Sequence, residues 1–384
     1  MELYTDHQFE NHIGSRTAFQ QPHIELLPEV LLPWYRIHHR KLPWREDREP
    51  YHIWLSEIML QQTRVEAVKL YYARFLAALP TIRDLADAEE ELLLKLWEGL
   101  GYYSRARNLK KAAVCIMEEY GGIFPSGYEE ILRLPGIGAY TAGAVASICF
   151  EQPVPAVDGN VLRVISRIAE SYENIDYPAT RGSVAEALRQ VYPAGHCGEF
   201  TQSLMELGAL VCVPNGPPKC TDCPAAAFCF ARKHGTAEAL PVRGKKKPRR
   251  IEAYTVFILH STAAQCPGAE QNLRAYSGGC RLALCRRAEK GLLAGFYEYP
   301  NVAGSMTAGE AAQVLADWGI PSAEIAKKTE AVHIFTHVEW HMTCYHFNCH
   351  TEGGDFIWAD ETQLALKFPL PAAFQKCYVP QIGS

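Results

Sequence analysis

This chain of 384 residues is short of several things, and each shortage narrows what it can be. No run of about 18 apolar residues occurs, the length that a bilayer-spanning helix needs. The start, MELYTDHQFENHIGSRTAFQQ, is polar and acidic and lacks the basic beginning and apolar stretch of a secretory signal. A soluble, cytoplasmic protein with no membrane partner is expected. Excess positive charge is also missing, with a formal net charge of −5 and a pI near 6.3, so any nucleic-acid contact must come from local basic clusters. The 13 cysteines are odd in number and spread along a chain with no export signal, which argues for reduced thiols over a disulfide framework. No internal repeat or low-complexity tract is present.

With 48% apolar residues the chain can bury a large core, and its length suits two or three domains. Segments such as TRVEAVKLYYARFLAAL (63–79), EEELLLKLWEGL (89–100) and RARNLKKAAVCIMEEYG (105–121) place apolar residues at three- and four-residue spacing and end at or near glycine or proline. From about 252 the pattern becomes β-branched and aromatic alternation, as in 252–260, 280–287 and 338–350, with one helical segment at 308–319. The division expected is a polar extension (1–24), an all-α region (25–231), a basic linker (232–251) and a smaller α+β domain (252–384). Two basic clusters stand out: Arg105, Arg107, Lys110 and Lys111 after the pair Tyr102-Tyr103, and RGKKKPRR at 243–250. Each is either a nucleic-acid contact or a solvated charged surface.

One acid is out of place. In IWLSEIMLQQ (53–62), a helical Glu57 has Ile53, Trp54, Leu60 and Gln61 as its neighbours and no cation to pair with. Burial among such side chains disfavours the charged form and raises the pKa towards neutrality, making a proton donor. Asp158, in AVDGNVLRVISRI, falls at a helix start, where the dipole and free amides favour the anion; this is equally the position of a simple helix cap. LPGIGAYTAG (134–143) puts Gly136 and Gly138 in a tight turn before a helix, a shape suited to approaching a phosphate or to a packing corner between helices. Cys212, Cys220, Cys223 and Cys229 are spaced C-x7-C-x2-C-x5-C, a strong metal signal that fits either an iron–sulfur cluster or zinc.

These pieces, with LPWRE at 42–46, WEGLGYYSRARNLKKAA at 97–113, ELGALVC at 206–212 and GLLAGFYEYP at 291–300, closely resemble the MutY-type adenine DNA glycosylases of the helix-hairpin-helix superfamily. The resemblance implies a helix-hairpin-helix fold followed by a Nudix-like domain and a [4Fe–4S] cluster at the four cysteines. It implies a nucleoid-associated bacterial repair enzyme, acting as a monomer on duplex DNA containing A:8-oxoG or A:G mispairs. Glu57 would protonate the leaving adenine and Asp158 would stabilise the oxocarbenium sugar, with Tyr140 beside Asp158 and Asn160. Related strand-cleaving enzymes of the endonuclease III type carry a lysine at the hairpin position held here by Tyr140. No lysine lies between Lys111 and Lys219, so a monofunctional enzyme that leaves an abasic site is expected. Arg45, Leu60, Gln61, Gln62, Tyr102 and Tyr103 resemble pocket and intercalating positions. In HIFTH, His333, Phe335, Thr336 and His337 match the loop that reads 8-oxoguanine. The paired glutamates of a Nudix pyrophosphohydrolase are absent after Pro300, so that domain should bind, not hydrolyse. A strand-cleaving glycosylase/lyase, a non-catalytic iron–sulfur DNA-binding protein and a nucleotide-pool Nudix hydrolase are the competing readings.

Overall fold

The computed structural model describes residues 24–245, 248–261, 281–321 and 323–378. All but the last residue of the expected polar extension, and Lys246 and Lys247 of the linker, lie outside the described residues. The chain divides into two compact units. Of the described residues, the first takes 24–72, 81–86 and 111–245; the second takes 73–80, 87–110 and those from 248 onward. Two segments from within the helical region therefore belong to the second unit.

The helices up to the linker are α1 Leu27–His38, α2 Pro50–Leu60, α3 Val65–Ala78, α4 Ile82–Asp87, α5 Glu90–Trp97, α6 Ser104–Glu119, α7 Tyr128–Arg133, α8 Ala139–Phe150, α9 Gly159–Ile168, α10 Pro178–Arg189, α11 Cys197–Leu210 and α12 Phe230–His234. An amphipathic surface helix turns one stripe inward, but α2, α8 and α9 do not. They bury nearly every residue, from Ile53 to Met59, Thr141 to Ile148 and Val161 to Ile168. Helices as apolar as α2 and α8 must be wrapped by others, while α9 is amphipathic and hides Arg163 and Arg167 by bonding them to carbonyls; α11 does much of the wrapping, packing on α1, α8 and α9. Proline at the start of α2 supplies a preset φ where its missing N–H costs nothing. The core of this unit joins Leu27 and Leu31 to Val161, Leu162, Ile165, Phe200 and Leu204.

In the second unit, β1 (Arg250–Ser261) and β6 (Val338–Cys349) run parallel along their full length, Arg250 opposite Val338 and Ser261 opposite Cys349. β2 (Arg281–Arg286), β3 (Tyr297–Glu298), β4 (Asn301–Ala303), β5 (Glu324–Ile334) and β7 (Ile357–Ala359) complete a mixed sheet whose main order is β3-β2-β1-β6-β5. α13 (Ala308–Asp317), capped reciprocally by Thr307 and Glu310, packs on it through Ala311 and Leu315 against Phe257, Tyr345 and Phe347. Short α14 (Glu361–Leu366) and α15 (Ala372–Gln375) follow. The strand β5 and these two helices were not foreseen. β5 lies at the sheet edge with Lys327, Lys328 and Glu330 exposed, charges that discourage pairing with another chain and also hide the strand from a hydrophobic pattern.

Candidate functional site

In the helical unit, three buried helices bring their ends together. α2 carries Glu57 near its C-terminus, α8 begins with Ala139 and Tyr140, and Asp158 is the N-cap of α9. Glu57 is only 6% exposed. Burial pushes its carboxyl up to about 7; a hydrogen bond from Tyr140 and the charge of Arg45 oppose this, while the negative charge of Asp158 adds to it. The Tyr140 hydroxyl donates to Glu57 Oε2 at 2.5 Å, and burial together with the two acids keeps that phenol protonated. A carboxyl poised near neutrality, with one oxygen held, is the chemistry of a general acid.

Tyr140, placed by the resemblance beside Asp158 and Asn160, does feel the charge of Asp158, while its hydrogen bond goes to Glu57, because the first turn of α8 faces α2. One expectation is corrected here. Asp158 was expected to be held low by its helix start. It does cap α9, accepting from Val161 N at 2.7 Å and from Asn160 Nδ2 at 2.7 Å, yet enclosure raises it and these bonds only limit the rise.

Asn160 is in turn fixed. Arg163 donates to its Oδ1 at 2.9 Å and to the Gly208 carbonyl at 2.7 Å. Gly208 has to be small, since a Cβ there would stand 2.6 Å from Asn160 Cβ; α11 thus presses directly on the residue that holds Asp158. α11 also brings Glu206, a functional candidate that sequence reasoning missed. Arg40 grips it through two side-chain bonds of 2.7 and 2.9 Å, and Arg45 adds one of 2.8 Å. Burial works to raise Glu206, but these bonds prevail and hold it at about 2. Arg45, expected as a pocket residue, is therefore committed to Glu206 and to the Arg40 carbonyl, with its charge still felt at Glu57. The available signal for Glu206 was a glutamate with no cation at three or four residues' distance on its helix.

The hairpin turn Leu134–Gly138 links α7 to α8. Gly136 has φ +75°, which requires glycine; Gly138 has φ −99° and open space where a Cβ would be, so the fold itself does not need glycine there. Both are exposed. At the end of α2, Leu60 is half-buried; just past it, Gln61 Nε2 lies 3.5 Å from Thr141 Oγ1, and exposed Gln62 sits in the left-handed region at φ +59°, strain that the tertiary structure must hold.

Cys212, Cys220, Cys223 and Cys229 line one pocket between the end of α11 and α12. Arg167, buried, donates to Cys212 Sγ at 3.3 Å. Among the described residues no three His, Cys, Asp or Glu side chains are grouped so as to hold a single metal ion.

In the second unit, His333 is the last residue but one of β5, and Phe335, Thr336 and His337 form its turn into β6. The Phe335 ring is half-buried against His333 and Trp340, at 4.5 and 4.8 Å, while Thr336 and His337 are exposed. Tyr102, 43% exposed and at φ +48°, meets the Thr336 hydroxyl at 2.6 Å. Tyr103, expected to face DNA, is buried instead against Phe296 at 4.1 Å, because its segment packs with the second unit.

Comparisons with known proteins agree with this architecture. The family described as HhH-GPD superfamily base excision DNA repair protein matches residues 55–191, and the NUDIX domain family matches 273–378. The chain is 33% identical to the adenine DNA glycosylase of Rattus norvegicus over 80% of this chain and 68% of that one. It is 33% identical to the Homo sapiens enzyme over 80% of this chain and 64% of that one. The solved structure of a thermostable thymine-DNA glycosylase matches with a TM-score of 0.50 and 30% identity, over 55% of this chain and 97% of that one. The fold, the two matched families and the length of these alignments agree: the chain belongs to the adenine DNA glycosylases of the helix-hairpin-helix base-excision repair superfamily.

Proposed function

We propose that this protein excises adenine mispaired with 8-oxoguanine or guanine in duplex DNA by hydrolysis, leaving an abasic site. The observation that carries this is the buried Glu57 carboxyl, raised to about 7 beside Tyr140 and Asp158. Adenine leaves readily only as a neutral base, and N7 needs a proton that water supplies poorly near neutral pH. Glu57 supplies it, with Tyr140 holding Oε2 so that the other oxygen faces the base. The cation that develops on the sugar is stabilised by Asp158, kept in orientation by Asn160 and the Val161 amide. Burial raises both acids, yet they differ as acid and stabiliser should: Asp158 receives amide and Asn160 bonds, Glu57 only a phenol.

The nucleotide reaches this site by flipping out of the duplex, which costs least at a mispair. Gly136 and Gly138 offer the close approach that a sugar-phosphate backbone requires, and Leu60, Gln61, Gln62 and Tyr102 fill the gap left in the helix. His333, Phe335, Thr336 and His337 read the opposite base. The four cysteines line one pocket and would hold a [4Fe–4S] cluster, for which they supply the four thiolate ligands. What it would supply there is a cross-link of the loop between α11 and α12, and the proton would still come from Glu57. No lysine is available at the hairpin for Schiff-base chemistry, which supports water as the nucleophile.

The test is a base-release assay on A:8-oxoG, A:G and A:T duplexes, followed by alkali to reveal abasic sites. Release from the mispairs and not from A:T is expected. Borohydride trapping of the protein on a thymine glycol duplex would overturn the proposal in favour of a strand-cleaving enzyme.

A further inference from the structure

Residues 235–245, a linker by composition, are fastened to the helical unit. The Leu240 carbonyl accepts from Arg167 Nε at 3.0 Å, the Val242 carbonyl accepts from Ile175 N at 3.1 Å, and Gly244 N donates to Asp176 Oδ2 at 2.9 Å. Arg243 lies between the last two ties, so its backbone is held on both sides. Its Nη2 stands 3.7 Å from the place a Cβ on Gly159 would occupy. Gly159 is the first residue of α9, between Asp158 and Asn160. A segment that composition makes flexible is thus fixed where it delivers a guanidinium to the edge of the catalytic site.

The other arginines bearing on this site are engaged. Arg40 and Arg45 hold Glu206, Arg163 holds Asn160 and the Gly208 carbonyl, and Arg167 holds Cys212, Val213 and Leu240. Arg243 is exposed, and among the described residues no hydrogen bond or ion pair engages its guanidinium. A planar guanidinium fork, open to solvent and carried on a backbone held in place, matches the geometry of a phosphate.

We propose that Arg243 binds a phosphodiester of the strand carrying the excised base, beside Asp158. The inference rests on the reading of this site as one that acts on duplex DNA. In that role Arg243 is a positioning residue: it anchors the backbone so that the sugar of the flipped nucleotide stays over the aspartate.

The experiment measures binding of the full-length protein, by fluorescence anisotropy, to a duplex bearing a tetrahydrofuran abasic analogue opposite 8-oxoguanine, at salt concentrations from roughly 50 to 200 mM. Arg243→Ala should weaken binding about 3- to 10-fold and lower the slope of log K against log salt by about one, the signature of one lost phosphate contact. Arg243→Lys should keep most of that slope. Asp176→Ala, which releases the tether at Gly244 while leaving the cation, should weaken binding as well. Arg189→Ala, removing an exposed arginine that pairs with Glu186, should change neither quantity. An Arg243→Ala protein with parental affinity and slope overturns the inference, as does an equal loss in Arg189→Ala. Adenine release by the parent is scored separately. A parent that binds in an Arg243-dependent way without releasing adenine supports the phosphate contact and removes only the proposed activity.

Discussion

The stored proton on Glu57 can be tested without any DNA. In the folded chain its carboxyl titrates near 7, against an ordinary value of 4.5. The folded state therefore holds a proton that the unfolded state gives up, so stability is greatest below the unfolded value and falls as pH rises through about 7. A tenfold change in acidity corresponds to about 1.4 kcal/mol, and the loss between about pH 5.5 and 8.5 integrates to about 2 kcal/mol. Glu57→Gln cannot ionise and escapes that loss. For a unit of this size, about 2–4 °C of Tm per kcal/mol predicts that the glutamine variant gains roughly 4–8 °C on its parent between those two pH values. The measurement is a pair of thermal melts, parent and variant, across that range. Parallel curves would mean that Glu57 is charged throughout, and the proposed acid catalysis would have no donor. In single-turnover base release the same variant should lose at least about a hundredfold in rate. The parent's own rate should fall as pH climbs past about 7, where the donor form is depleted.

Other outcomes follow from the neighbouring contacts. Tyr140→Phe removes the bond that lowers Glu57, so the alkaline limb of the pH–rate profile should move to higher pH while the maximal rate drops; an unmoved limb would disconnect the two residues. Glu206→Gln leaves Arg40 and Arg45 without their counter-charge and should cost roughly 3–5 kcal/mol in denaturant unfolding near neutral pH. Because Glu206 is held at about 2, its contribution in the parent is present above about pH 4.5 and is lost as pH falls towards 2, the opposite sense to Glu57. Gly208→Ala drives a Cβ to within 2.6 Å of Asn160, and should cost about 1–3 kcal/mol and slow base release by loosening Asp158; full activity would show that Asn160 does not need its place.

Much was legible in the chain. The helical periodicity up to about residue 230, the capped start of α9, the glycine turn before α8 and the cysteine spacing all express local rules: side-chain pattern, backbone permissiveness and ligand reach. β5 escaped because an edge strand with charged faces has no apolar alternation, and Tyr103 was misjudged because exposure is not a local property.

The two glutamates mark the boundary most clearly. Glu57 and Glu206 each sit on a helix with no cation at three or four residues' distance, so nothing local tells which of them is paired. One is pushed up to about 7 and the other held at about 2. The difference is made by Arg40 and Arg45, more than 160 residues away in the chain, which the packing of α1 and α11 brings to Glu206 while Glu57 is left with Tyr140. Sequence by itself determined that Glu57 would be buried, since its helical neighbours are mostly apolar; it held no such signal for Glu206, which has Gln202 and Ser203 one turn before it. Which acid received the cations was decided by tertiary structure alone, because Coulomb energy depends on distance in space and not on separation along the chain.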